Sequence, residues 1–307
     1  MELDARERVA GPGLPNPVVA LPFLWRRMRA SLVSRPGAAP SVPFDAGALE
    51  RTPALTWIGH ATFYVRLGGA AFLTDPVFSE RASPLSFAGP RRLVPPGVRL
   101  GALPRVDFAL VSHDHYDHLD LPTVRLLAER GVPFVVPTGV GALVRAAGGR
   151  VAAELGWWQD ARIADVTVTC VPARHFSGRG FADRNRRLWA GFVVAGETRR
   201  FYHPGDTALF DGFAEIGRRA GPIDLACLPI GAYEPRAIMG PIHLNPEEAV
   251  RAALDLDARA VAAMHFGTFD LADEPLDEPP RRFLVEARRR GLGERAFVMA
   301  IGETRGF

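Results

Sequence analysis

The chain has 307 residues, with 37 basic and 34 acidic side chains and a formal net charge of +3. Every basic residue is arginine, which excludes chemistry that needs a Schiff-base lysine or the lysine of a phosphate-binding loop. Two cysteines are too few for a disulfide framework, no run of eighteen apolar residues marks a membrane span, and a hydrophobic content of 48% fits a globular protein with a large core.

Residues 1–50 are rich in Pro, Gly and Arg and read as an extension packing on a main domain over residues 51–307. The opening Met-Glu-Leu-Asp-Ala-Arg lacks the basic-then-apolar order of a secretory signal, so a cytoplasmic location is expected. Within residues 18–33, Leu21, Leu24, Trp25, Met28 and Leu32 recur at helical spacing, with Arg26, Arg27 and Arg29 elsewhere on the wheel. Such a stripe suits either peripheral contact with an anionic membrane or burial against the main domain. The segment is short and Pro22 interrupts its start, which favours burial.

From Ala54 three strands are expected, 54–58, 62–67 and 71–74, with Gly68-Gly69 turning between the last two. The apolar run 106–111 reads as a buried strand, and 122–130 as a helix with Pro at its first turn. Further strands are expected at 132–136, 166–171, 188–194, 199–202, 225–229, 260–264 and 296–301. Helices are expected near 210–220 and at 246–256 and 280–290. Cys170 and Cys227 fall in apolar runs and read as small buried hydrophobes.

The densest chemistry is Ser112-His-Asp-His-Tyr-Asp-His-Leu-Asp120. His113, His115, Asp117 and His118 fall within six residues. Imidazole nitrogen and carboxylate oxygen are ligands that suit zinc and its transition-series neighbours. Such a cluster holds one ion or is shared between two. Further candidates sit just past apolar strands: His175 after 166–171, Asp206 after 201–205, and His265 after 261–264. Asp75 ends a strand before Pro76, as a carboxylate accepting the far N–H of a ligand imidazole or as a plain turn aspartate. His203, just before Asp206, reads as packed beneath the site. Two divalent metals roughly 3.5–4 Å apart share a hydroxide and clamp attacking and leaving oxygens, so hydrolysis is the expected reaction.

His-x-His-x-Asp-His after an apolar strand resembles the signature of the metallo-β-lactamase superfamily. Trp57–Thr62, Leu73–Val77, Arg81–Pro84, Phe87–Arg92, Arg174–Arg179, Asp183–Arg186, Gly205–Thr207 and Met264–Phe269 resemble one branch, that of N-acyl-phosphatidylethanolamine-hydrolysing phospholipase D and its bacterial relatives. The resemblance implies an α+β fold, a four-layer αββα sandwich. It implies two divalent ions, with zinc expected first and manganese or iron as alternatives. His113, His115 and His175 would hold one, Asp117, His118 and His265 the other, with Asp206 bridging and Asp117 and Asp206 orienting the nucleophile. His60 would lie near the pocket. Tyr116 and His243 match positions that the branch places at its substrate. They would donate hydrogen bonds or, for His243, a proton to the leaving oxygen.

Arg174, Arg179, Arg184, Arg186 and Arg187 surround His175 in a Gly-containing loop. Guanidinium forks suit a phosphodiester, and Arg179 and Arg186 are the candidate substrate residues. A solvated or salt-bridged loop is the alternative. The leading expectation is a phospholipase D-like phosphodiesterase acting on a lipid or a smaller phosphodiester. Lactone, amide or ester hydrolysis on the same fold is the second. A mono-iron redox protein or a metal-dependent interaction module is the third. No appended nucleic-acid-binding element is recognisable.

Overall fold

Side chains alternate between two cores along nearly every strand of the first half. In β1 (Ala54–Gly59), Leu55 and Trp57 face one core and Ile58 the other; in β2 (Thr62–Leu67), Phe63 and Val65 oppose Tyr64. β3 (Ala70–Thr74), β4 (Phe108–Leu110) and β5 (Phe134–Pro137) repeat the pattern through Phe72, Phe108 and Val135 against Leu73, Ala109 and Phe134. Period-2 alternation with both faces apolar marks a sheet buried on two sides. The computed structural model describes residues 12–13, 16–30, 37–50, 52–180 and 182–307. Leu32 and the rest of the amino-terminal extension lie outside the described residues.

β6 (Val151–Leu155) ends the run of the first sheet. The second sheet holds β7 (Asp160–Ile163), β8 (Val166–Val171), β9 (Gly191–Ala195), β10 (Arg200–His203), β11 (Leu225–Pro229), β12 (Ala260–Met264) and β13 (Ala296–Phe297). β14 (Thr304–Gly306) returns to the first sheet beside β1, giving orders β14-β1-β2-β3-β4-β5-β6 and β13-β12-β11-β10-β9-β8-β7. Each sheet begins with antiparallel neighbours and continues in parallel, β3 to β6 in one and β10 to β13 in the other. Residues of both sheets form one shared core. Helices α2 (Leu121–Glu129) and α3 (Gly141–Ala146) cover the outer face of the first sheet through Val124, Leu127 and Val144. Helices α4 (Gly212–Ala220), α5 (Pro246–Asp255) and α6 (Glu278–Arg289) cover the second through Phe213, Ile216, Val250 and Phe283. The result is the four-layer αββα sandwich.

Three expectations need correction. The strand expected at 296–301 stops at Phe297; Ile301 instead bonds outward, its N–H to Pro40 O and its carbonyl from Val42 N, both at 2.8 Å, before the chain crosses to β14. The strand expected at 188–194 begins only at Gly191, because Leu188 and Ala190 donate at 2.9 Å to Thr138 and Ser112. Helix α1 (Pro17–Ala30) does not bury the anticipated stripe. Leu21, Leu24, Trp25 and Met28 remain 66%, 59%, 55% and 63% exposed, whereas Phe23 packs on Ala232, Met239 and Ala272. Arg27 and Arg26 set this orientation: Arg27 pairs with Asp270, and Arg26 reaches Asp273 at 2.6 Å.

Candidate metal centre

The carboxyl ends of β4, β8, β10 and β12 meet at one rim, the usual ligand-bearing end of parallel strands. Beyond β4, His113 to His118 fold into a tight turn in which His115 O accepts from His118 N at 3.1 Å. Beyond β10, Gly205 at φ 63 turns the chain so closely that an added Cβ would lie 2.4 Å from Ser112 Cβ. Only glycine fits that approach, and it delivers Asp206 against the histidine turn. His60, Asp75 and His265 have φ of 56, 35 and 61, and His265 N donates to His60 O at 3.1 Å. Left-handed backbone at three non-glycine residues on one rim costs of order 1–3 kcal/mol each and persists only where the surroundings over-determine it.

All eight histidines gather here. His113 Nε2 and His175 Nε2 lie 2.9 and 3.2 Å from His115 Nδ1, and 3.9 and 3.7 Å from Asp206 Oδ2. On the other side His118 Nε2 is 3.2 Å from Asp206 Oδ2, His265 Nε2 is 3.0 Å from Asp206 Oδ1, and both nitrogens lie within 3.6 Å of Asp117 Oδ2. Two groups with convergent ligand atoms result, His113-His115-His175-Asp206 and His60-Asp117-His118-His265, with Asp206 also grouped with His243 and His265. His60, expected only near the pocket, stands within the second group, its Nε2 3.0 Å from Asp117 Oδ2.

Buried polar atoms ordinarily find partners. Among the described residues, His118 Nε2, Asp206 Oδ1, His243 Nδ1 and His265 Nε2 are buried with no hydrogen-bond partner, and all point into this cluster. Imidazole nitrogens and carboxylate oxygens converging on one another are a ligand set for cations, so these residues fit divalent metal ions.

Asp75 organises the layer beneath. It is fully buried and its carboxylate accepts from Ser112 N at 2.6 Å and Ser112 Oγ at 2.7 Å. It also meets His118 Nδ1 at 2.7 Å and His203 Nε2 at 2.8 Å, fixing the ring of a candidate ligand histidine from behind. His175 is held likewise, Nδ1 to Ile242 O at 2.9 Å. Sequence reading missed Asp114. Buried between His113 and His115 in the chain, it accepts from Gly178 N at 2.7 Å and Arg187 Nη1 at 2.6 Å and so ties the His113–His118 turn to the loop carrying His175.

His115, Asp117, His175 and Asp206 floor a cavity of about 610 Å³ whose walls include Phe23, Phe176, Ile238, Met239, Ile242 and Leu271, together with His243 and Arg184. Three of the candidate substrate residues do not line this cavity. Tyr116 and Arg179 are spent on each other: Tyr116 Oη donates to Arg179 O at 3.0 Å, and the Arg179 guanidinium stacks 3.8 Å over the Tyr116 ring. Arg179 Nη1 donates to Asp114 O and Leu119 O at 2.6 and 2.8 Å, leaving both residues off the cavity wall. Arg186 is exposed and also off the wall. Arg186→Ala is accordingly expected to leave KM for any substrate within about twofold, while Arg179→Ala lowers the melting temperature by several degrees, the loss of two charge-assisted bonds at about 1.5–3 kcal/mol each. A KM rise specific to phosphodiesters in Arg186→Ala would put that residue back at the substrate.

The beta-lactamase superfamily domain profile matches residues 71–266, a stretch that holds every residue of the ligand groups except His60. The chain belongs to the metallo-β-lactamase superfamily. It is similar to an uncharacterized protein of Mycobacterium tuberculosis, 46% identical over 276 residues, covering 86% of this chain and 73% of that one. It is also 43% identical over 257 residues to N-acyl-phosphatidylethanolamine-hydrolyzing phospholipase D 1 of Caenorhabditis elegans, covering 79% of this chain and 72% of the relative. In fold it resembles a metallo hydrolase of the archaeon Ignicoccus hospitalis, with a TM-score of 0.63 at 22% identity, covering 83% and 97% of the two chains. This is a metal-dependent hydrolase of the metallo-β-lactamase fold.

Burial sets the protonation of the metallo-β-lactamase histidines. It pushes His60, His175 and His243 down to about 3 and His115 to about 4, and with neighbouring histidines holds His113 well below the imidazole range. These rings are neutral at pH 7, with lone pairs available to a cation. Burial also opposes charge on His118 and His265, but Asp206 and Asp117 outweigh it, raising His118 well above its ordinary value and His265 to about 9. The same histidines hold Asp117 and Asp206 well below the carboxylate range against the effect of burial.

A pH dependence follows for chelator-treated protein. Between about pH 6.5 and 3 the unfolded chain takes protons on the five lowered histidines and the folded chain does not, so stability falls on acidification. Groups lowered to about 3 each remove about 2 kcal/mol by pH 5. His265 acts with the opposite sign, its stabilisation complete below about pH 6.5 and lost as pH rises through about 9. Melting curves of the stripped protein are expected to show a lower midpoint at pH 5 than at pH 7; a higher midpoint at pH 5 would contradict this protonation pattern.

Proposed function

We propose that this metallo-β-lactamase-fold protein is a dinuclear phosphodiesterase of the phospholipase D type, with zinc as the first candidate metal and manganese or iron as alternatives. The observation that carries the reading is Asp206, whose carboxylate faces both histidine groups at the floor of a cavity with a largely apolar wall. When bound, two divalent ions supply positive charge and lower the pKa of a water toward about 7. Asp117 and Asp206 orient the attacking water and stay ionised to receive its hydrogen bonds. His243 faces the cavity with Nδ1 3.9 Å from Asp206 Oδ2, and burial keeps its ring neutral at pH 7. It therefore offers the leaving oxygen a hydrogen bond rather than a full proton. Phe23, Ile238, Met239, Ile242 and Leu271 exclude water and receive an apolar substrate arm.

The relative named for N-acyl-phosphatidylethanolamine hydrolysis supports this substrate class. A cytoplasmic protein in peripheral contact with membrane is the matching location. Among the described residues no helix is long and apolar enough to cross a bilayer, while α1 presents Val18, Leu21, Leu24, Trp25 and Met28 outward with Arg29 beside Trp25. Turnover of bis(p-nitrophenyl) phosphate, run beside a lactone panel in a pH-stat, tests the reaction class. Chelator-sensitive phosphodiester cleavage is expected; cleavage of lactones alone would replace the reading with carbonyl hydrolysis.

A further inference from the structure

Five arginines surround His175 in sequence, and the fold assigns four of them elsewhere. Arg179 binds main-chain carbonyls and Tyr116; Arg187 pairs with Asp114 and Asp183 at 2.6 and 2.8 Å. Arg186 is exposed, and Arg174 lines a separate surface cleft with Asp211, Arg251 and Asp255. Arg184 alone of the five lines the main cavity, together with His115, His175 and Asp206. Its guanidinium carbon lies 4.0 Å over the Phe176 ring, and that ring lies 4.5 Å from His115 and 4.9 Å from His175. Among the described residues Arg184 Nη2 donates to Pro12 O at 2.8 Å, and no carboxylate is paired with the guanidinium.

We propose that Arg184 is a specificity-determining residue that selects substrates bearing a second anionic group, a carboxylate or a phosphate, beside the phosphodiester that is cleaved. The inference rests on the phosphodiesterase reading. One N–H of the guanidinium fork serves Pro12, the others have no protein acceptor among the described residues, and the side chain belongs to the cavity lining. Stacking on Phe176 fixes the plane of the fork before anything binds, so little entropy is lost when an oxyanion arrives. The reacting group lies among the histidine and aspartate ligands, where bound cations answer its charge. Arg184 stands one aromatic ring further out, so it meets a charge carried elsewhere on the substrate. Ile238, Met239 and Leu271 line the cavity as apolar surface and are suited to an uncharged arm. A substrate with one apolar and one anionic arm fills this cavity.

The test uses two p-nitrophenyl phosphodiesters that differ only in the end of the second arm, a carboxylate in one and a carboxamide in the other. Metal-loaded wild-type protein is expected to show a KM about tenfold lower for the carboxylate, since a charge-assisted bond is worth about 1.5–3 kcal/mol and 1.4 kcal/mol is tenfold. In Arg184→Met the ratio of the two KM values falls to about one, and Arg184→Lys retains part of it, with melting temperatures confirming that both variants fold. Wild type cleaving both substrates with equal KM, or a ratio unchanged in Arg184→Met, overturns the inference and leaves the phosphodiesterase reading standing. Wild type cleaving neither substrate overturns both.

Discussion

Asp206→Ala is expected to lower phosphodiester turnover by about a thousandfold or more and to reduce bound metal to at most one ion per chain. Its two oxygens face both groups, 3.2 and 3.0 Å from His118 and His265 and 3.7 and 3.9 Å from His175 and His113. Its removal leaves the His113-His115-His175 group without a carboxylate and the other group with Asp117 alone, and a thousandfold corresponds to about 4 kcal/mol of lost transition-state stabilisation. Steady-state kinetics with metal analysis checks this. A variant that keeps two ions and wild-type turnover would contradict the shared-carboxylate account.

Asp75→Ala is expected to have the largest effect on folding. Ser112 N, Ser112 Oγ, His118 Nδ1 and His203 Nε2 all converge on its carboxylate at 2.6–2.8 Å in a site sealed from solvent. Each buried polar group left without a partner costs about 1–3 kcal/mol, so the variant loses about 4 kcal/mol or more and is poorly soluble. Asp75→Asn keeps an acceptor oxygen and is expected to fold, with metal affinity reduced about 10–100-fold because the His118 ring is no longer oriented. Chemical denaturation and metal titration check the pair; wild-type stability in Asp75→Ala would remove Asp75 from its place beneath the site.

Much of this architecture was legible because its signals are local. Strands 62–67, 166–171, 225–229 and 260–264 match their expected bounds, since each is an apolar run buried in the sandwich and flanked by turn residues. β6 and β7 went unseen because neither is a buried apolar run, only Leu155 being buried among their residues. The ligand candidates stood out because the fold hangs them just past strand ends, a position visible without coordinates. Partner choice at long range was not legible. Nothing local to α1 indicates that Arg26 and Arg27 find Asp273 and Asp270 more than 240 residues away and so turn the Leu21–Met28 stripe outward. Nor does the arginine loop reveal which guanidinium meets the main chain around Asp114 and which meets the cavity; only the folded path of residues 174–187 separates Arg179 from Arg184.

On the proposed reading, two histidine groups share Asp206 around two divalent ions. Metal content by plasma emission on untagged, freshly purified protein, with phosphodiester turnover before and after chelation, tests it most directly. About two divalent ions per chain, with turnover lost on chelation and restored by the metal, is the predicted result; a single iron, or turnover that survives complete removal of metal, would contradict it.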